Sequence, residues 1–213
     1  MDKKIIITIS REFGSGGRFI GEDVAKKLGI AFYDKAIIEM ASDKTGFSPD
    51  YIKENEQKLT SPSLFNFAIS GSYAGNMVFG NGESLQDTMF FAQSNVIKEI
   101  ASKHSCVIVG RCADYVLEKF DNCINIFIHS DMQSKINRAV NEYKLDSNSV
   151  EKILKDRDKL RAKHYNYYTG RVWGDARNYH ACFNSDYIGL EKVEDIIVDM
   201  AKSLILPANE NNS

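Results

Sequence analysis

The chain has 213 residues, with 27 Lys+Arg against 29 Asp+Glu and a formal net charge of −2. A chain this long buries roughly 70% of its unfolded surface as one sizeable domain, so it needs no disulfide or metal to fold. The charge balance argues against general affinity for nucleic acid, no apolar run approaches the roughly 18 residues of a membrane helix, and the immediate entry into a strand pattern predicts no signal peptide.

The pattern over residues 5–29, IIITISREFGSGGRFIGEDVAKKLG, organises the rest. Ile5, Ile6, Ile7 and Ile9 read as a buried strand. Gly14, Gly16 and Gly17 permit positive φ and close backbone approach. From Arg18 the spacing of Ile20, Val24 and Leu28 is helical, with Glu22 and Asp23 early, Lys26 and Lys27 late and Gly29 as the stop. Strand, glycine loop and helix together present unpaired backbone N–H groups to an anion. A tight βα turn with incidental glycines is the plainer reading.

The phosphate-loop motif G-x-x-x-x-G-K-[ST] is only partly present. With Gly16 as its last glycine, Arg11 replaces the first and Gly17 the lysine; with Gly17 last, Arg18 replaces the lysine and Phe19 the hydroxyl. Arg18 or Arg11 then has to supply the missing charge, as a rigid fork rather than a point charge. The dinucleotide fingerprint fails at Phe19, although Asp34 falls at the acidic position of that pattern.

Further on, 31–33 reads as a short strand ending at Asp34, which is expected to cap a helix over 35–42. Ser48-Pro49 opens a polar helix to about residue 59. Residues 60–84, rich in Gly, Ser and Asn, read as a loop or loosely structured insertion, or as a hairpin covering the core. Leu85–Lys103 is the longest predicted helix, and Cys106–Val109 is a strand covered on both faces, ending at Gly110-Arg111. A strand over 124–129, helices from Asp131 and over 149 to about 165, a strand within 178–184 and a helix over 190–206 complete the pattern. The order βα repeated predicts an α/β fold, a parallel sheet wrapped by helices.

The cysteines Cys106, Cys112, Cys123 and Cys182 form no C-x-x-C pair, and His104, His129, His164 and His180 are scattered. Reduced structural thiols, no metal site and a cytoplasmic protein are expected. A Ser-His-Asp triad is not supported, because Ser15 lacks a G-x-S-x-G context.

Ligands of such a sheet bind beyond the carboxyl ends of its strands. Arg111 falls there, Lys135 and Arg138 share one helical face, and Arg157 and Arg161 share another within the basic, aromatic stretch 155–177. Arginines on a mobile segment can close over a transferring phosphate. The same stretch is also compatible with a salt-bridged helix and packed aromatic loop, or with stacking on single-stranded nucleic acid. Asp34, Asp114, Asp156 and Asp158 are the candidate acids, none singled out by a motif.

ITISREFGSGGRFIG, VIVGRCADYVL, KDRDKLRAKHYNYYTGRVWGDARNYH and CFNSDYIGLEKVEDII resemble the cytidylate kinase-like family of P-loop nucleoside monophosphate kinases. The resemblance implies a five-stranded parallel sheet covered by helices on both faces. It implies one domain over 1–206, with its core at about 1–34 and 104–206. An inserted acceptor-binding region would span about 35–103 and a lid about 155–178; the tail 207–213 reads as disordered from the sequence itself. It implies transfer of the ATP γ-phosphate to a nucleotide or other small acceptor, with Mg²⁺, in a protein with small-molecule nucleotide partners that could form homo-oligomers. Carried over by position, Arg11, Gly14, Ser15, Gly16, Gly17 and Arg18 hold ATP phosphates; Asp34, Gly110, Arg111 and Arg138 hold the acceptor; Arg18, Arg157 and Arg161 act in transfer. Cys112 stands where the family has an aspartate after Gly-Arg, and Lys35-Ala36 follows Asp34 where a Ser-Gly and an arginine are usual. With the missing lysine, these departures leave a second expectation: a catalytically impaired nucleotide- or phosphate-binding protein on the same fold.

Overall fold

A computed structural model describes residues 4–55 and 85–205. The expectations for 60–84, for the end of the helix near 59 and for the tail 207–213 lie outside the described residues.

Five parallel strands form one sheet in the order β2-β3-β1-β4-β5: β1 Ile6–Arg11, β2 Ala31–Tyr33, β3 Cys106–Val109, β4 Cys123–His129 and β5 Ala181–Asn184. β1 is central, with Ile6 opposite Cys106 on one side and Cys123 on the other. The chain leaves β1 towards β2 and later crosses from β3 to β4. The carboxyl end of β1 is therefore the switch point where a crevice opens.

The helices lie on both faces, as the βα order predicts. On one face α1 (Gly17–Leu28) and the closing helix, Leu190–Ile205, pack on Ile5, Ile7, Ile9, Val107, Val109, Ile124, Ile126 and Ile128. On the other, α2 (Ala36–Thr45), α3 (Pro49–Asn55) and α4 (Leu85–Lys103) cover Ile6, Cys106 and Ile108. The strands thus alternate between two cores, although their sequences are apolar throughout. A smaller cluster of Ala139, Val150 and Leu154 joins α6 (Met132–Asn141) to α7 (Val150–Thr169), following the short α5 (Ala113–Val116).

Several local expectations are corrected. α1 begins at Gly17, so Glu22 and Asp23 fall beyond its first turn and pair with Arg18 and Lys26 instead. Asp34 caps nothing: Lys35 is the N-cap of α2, and the Asp34 carboxylate faces three arginines. α7 runs to Thr169 before Gly170, at φ 67, ends it, so Tyr165, Tyr167 and Tyr168 are helical rather than part of a loop. Residues Ala176–Asn178 form a 3₁₀ turn ahead of β5. All four cysteines are free thiols, Cys106 and Cys112 buried and Cys182 exposed. Among the described residues no helix is long and apolar enough to cross a membrane.

Candidate phosphate-binding site

β1 stops at Arg11 because three glycines in the next six residues supply turns that a side chain would block. Gly14 and Gly16 take φ of 84° and 82°. A Cβ on Gly16 would sit 2.7 Å from Leu190 Cδ2, and one on Gly17 2.7 Å from Arg11 Cβ. The loop is tied to its surroundings by Glu12 N–H to Ile128 O (3.0 Å) and Ser15 N–H to Glu12 O (3.4 Å). Ser15 is fully buried, and its hydroxyl donates to Glu12 O at 2.9 Å. Its carbonyl accepts from Ser185 Oγ at 2.6 Å. The Ser15 side chain therefore holds the loop's shape, while the backbone ahead of α1 is what the loop offers to an anion.

Around the loop the chain assembles cations from four elements. Asp34, at the end of β2, receives Arg18 Nε at 3.2 Å, Arg111 Nη1 at 3.3 Å and Arg11 Nη2 at 3.9 Å. One carboxylate thus organises three of the residues singled out from the sequence. Arg18 also meets Glu22 at 3.6 Å, one turn along α1.

Arg161 reaches across from α7 and donates to Arg11 O at 3.1 Å. Its buried Nε has no hydrogen-bond partner. Burial first, then the nearby Arg11, pull its pKa down to about 9 against the opposing pull of Asp158, whose Oδ1 lies 3.5 Å from Arg161 Nη1. Arg157 lies over the Phe13 ring, 4.7 Å from its centroid, with Arg161 at 5.3 Å from the same ring.

Two residues stand away from their expected places. Arg138, predicted beside Gly110-Arg111, instead donates through Nη1 to Gly14 O at 2.5 Å, so the geometry groups it with the glycine loop. Lys135 is buried beneath that loop, with Nζ 2.9 Å from Glu12 Oε2 and 3.4 Å from Asp158 Oδ2. It does not replace the missing loop lysine, because both carboxylates already hold it.

The candidate acids separate by environment. Asp158 accepts the Phe13 N–H at 2.6 Å and pairs with Lys135, docking α7 on the loop; its burial raises its pKa. Asp114 is sealed at 1% exposure, accepting from Tyr165 OH at 2.6 Å and Ser10 Oγ at 3.4 Å, and burial raises it as well. Asp156 is on the exposed side of α7. Only Asp34 lies open to the cleft among the arginines.

That cleft, about 740 Å³, is lined by the glycine loop together with Arg11, Arg18, Asp34, Arg111, Arg157 and Arg161. It joins Arg11, Gly14, Gly16, Gly17, Arg18, Asp34, Arg111, Arg157 and Arg161 from the sequence reading; Ser15, Gly110 and Arg138 support its walls from outside. Missed from sequence were the Glu12–Lys135–Asp158 network and the Phe13 ring. The placement of Asp158 three residues before Arg161 was the available hint.

A cradle that Cβ atoms would fill, at the start of a twelve-residue helix, fits a polyphosphate. Among the described residues no group of three His, Cys, Asp or Glu side chains is arranged to hold a metal.

The model of the cytidylate kinase-like family matches residues 6–187. No curated protein matches the chain. Among solved structures, an uncharacterised protein from Eubacterium ventriosum is 27% identical with a TM-score of 0.70, over 94% of this chain and 99% of that one. A shikimate kinase from Acinetobacter baumannii, in complex with shikimate, is 15% identical with a TM-score of 0.51, over 97% of both chains. A shikimate kinase from Bacteroides thetaiotaomicron is 11% identical with a TM-score of 0.53, over 93% of this chain and 98% of that one. The two distant likenesses speak to the fold alone.

Proposed function

The chain belongs to the cytidylate kinase-like family, and from that premise we propose that it is an ATP-dependent phosphotransferase, moving the γ-phosphoryl group to a nucleoside monophosphate or another small acceptor. The observation that carries this reading is the single cleft shared by the glycine loop and five arginines. Backbone N–H groups at the start of α1 would hold the ATP phosphates, with Arg138 bracing the loop from behind. Arg18, the second residue of α1, and Arg161 from α7 would meet the charge that develops as the bond to the β-phosphate oxygen breaks and the acceptor oxygen bonds to phosphorus. Of the two carboxylates on the cleft among the described residues, Glu12 is held by Lys135, and Asp34 would take the acceptor's proton. Bound with the nucleotide, a Mg²⁺ ion would supply positive charge against the phosphates. The stretch 155–178 would act as the part that closes over the reaction, and 35–103 as the acceptor-binding region.

An ADP-release assay over nucleoside monophosphates and small alcohols tests the reading. Arg18→Ala is expected to lower turnover about 10²–10³-fold, the scale for losing one donor to transition-state charge. Full activity in that variant would remove Arg18 from the mechanism. A second reading, a nucleotide-binding protein without turnover, is favoured by one observation: Arg18 already pairs with Asp34 and Glu22. It predicts that ATP raises the melting temperature by mass action while no acceptor is phosphorylated.

A further inference from the structure

Asp114, the second residue of α5, stands just past the β3 turn and does not line the cleft. We propose that it is a positioning residue: through Tyr165 it fixes where α7 carries Arg161 and Asp158 against the glycine loop. The proposal rests on the phosphotransferase reading for its kinetic consequence and adds to it the residue that sets the geometry of transfer.

The need for such an anchor follows from how α7 is packed. Of its 20 residues, Val150, Leu154 and Tyr165 are the buried ones. The first two join the small apolar cluster with Ala139. Tyr165 comes a further eleven residues on, about 16 Å along the helix axis. Arg157, Asp158 and Arg161 lie in that gap, where apolar packing does not set how the helix is rotated. Arg161 Nη1 nevertheless meets one backbone oxygen, Arg11 O, at 3.1 Å, and Asp158 accepts the Phe13 N–H at 2.6 Å. Contacts this directional need the helix held on the far side of Arg161 as well.

Tyr165 is about one turn beyond Arg161, and its hydroxyl donates to Asp114 Oδ2 at 2.6 Å. The other carboxylate oxygen accepts from Ser10 Oγ at 3.4 Å, and Ser10 precedes Arg11 on β1. One carboxylate thus ties α7 to the strand whose last residue Arg161 contacts. His164 meets the β3 turn beside it, with Nδ1 3.7 Å from Cys112 Sγ.

A carboxylate sealed this deeply costs stability that an apolar side chain of similar size would not. Its side-chain partners are two hydroxyls, and Arg171, whose charge favours the ionised form, is itself held by Glu118 at 2.6 Å. What the acid supplies is direction: it holds the ring of Tyr165 by its hydroxyl, where an apolar contact would let it slide. Tyr168 gives the contrast. It stacks on Phe90 with ring centroids 3.9 Å apart and donates to Asp87 at 3.0 Å, so it holds the end of α7 to α4 rather than to β1.

The test uses the full chain and two readouts. The first needs no substrate: hydrogen exchange of the Phe13 N–H, followed by NMR, reports whether Asp158 still sits on the loop, about two turns along α7 from Tyr165. Tyr165→Phe is expected to speed that exchange about tenfold, the scale of one hydrogen bond to a charged group. Tyr168→Phe removes a similar bond from the same helix and should change it less than about twofold. Asp114→Asn keeps an oxygen for the Tyr165 hydroxyl and should lie nearer the wild type than Tyr165→Phe does. The second readout is kinetic. Tyr165→Phe should lower kcat about tenfold and leave KM for ATP within about twofold, because Arg161 is needed most as charge develops. In an Arg161→Ala background the same change should add less than about twofold. Unchanged Phe13 exchange in Tyr165→Phe, an equal effect of Tyr168→Phe, a larger effect of Asp114→Asn, or a full additive loss beside Arg161→Ala overturns the positioning role. A wild type that phosphorylates no acceptor removes the phosphotransferase reading instead, and the Phe13 exchange still decides whether Asp114 positions α7.

Discussion

The ends of β1 and β3 are neighbours in the sheet and both turn sharply into helices, yet they are built in opposite ways. At β1 the turn is glycine, and what it exposes is backbone rather than side chain. At β3 only Gly110 is glycine; Arg111 and Cys112 carry side chains through the same left-handed region at a cost of about 1–3 kcal/mol each. The first design leaves room for a ligand by deleting side chains. The second accepts strain to place side chains where a ligand can meet them. Under the proposed function, the comparison teaches why a missing lysine need not remove anion binding from the first turn, whereas a change at the second alters which side chains meet the ligand.

The sharpest way to break the contrast is to put a side chain into the glycine turn. Gly16→Val has to take φ of 82° and place Cβ against Leu190. It is expected to abolish ATP binding, read as loss of thermal stabilisation by the nucleotide, and to cost about 1–3 kcal/mol in urea unfolding. Next is the carboxylate that joins the two turns. Asp34→Asn leaves Arg11 and Arg111, both largely buried, without their shared anion, and about 3 kcal/mol of stability should be lost. Added phosphate should recover part of it, whereas a wild-type denaturation curve for Asp34→Asn would show the cluster to be energetically idle.

A smaller effect, graded by pH, separates the β3 side. His164 titrates at about 4 in the fold against 6.5 in the unfolded chain. Its contribution is therefore present above pH 6.5 and is lost as pH falls through 4, because the unfolded chain takes up a proton that the fold refuses. Up to about 3 kcal/mol is at stake. Denaturation curves at pH 7, 5 and 4 should show that slope in the wild type and a flatter one in His164→Gln. The smallest expected effect is a control away from both turns: Cys182→Ser, on the exposed side of the edge strand β5, should change stability by no more than about 0.5 kcal/mol.

Much of this architecture was legible. β-branched runs, helical spacing and glycine punctuation located all five strands and the glycine loop, because those signals are local. The sequence also pointed to Arg18, Arg111, Arg157 and Arg161, which do border one cleft. What it misjudged was partnership. Asp34 read as a cap because an acid before a helix usually is one; it is instead an anion among arginines from β1, α1 and the β3 turn. Arg138 read as an acceptor contact because it is a cation on the right helix, but it braces Gly14. Lys135 looked available until Glu12 and Asp158, distant in sequence, were found beside it.

By itself, then, the order of residues determined the parallel sheet, its helical layers and the place where glycine opens the backbone to an anion. These follow from side-chain branching, hydrophobic period and the absence of Cβ, which act within a few residues. Only the tertiary structure decided which charges cancel and which remain for a ligand. Electrostatic pairing depends on distance through space and on burial, and neither is written in the spacing of residues along a chain.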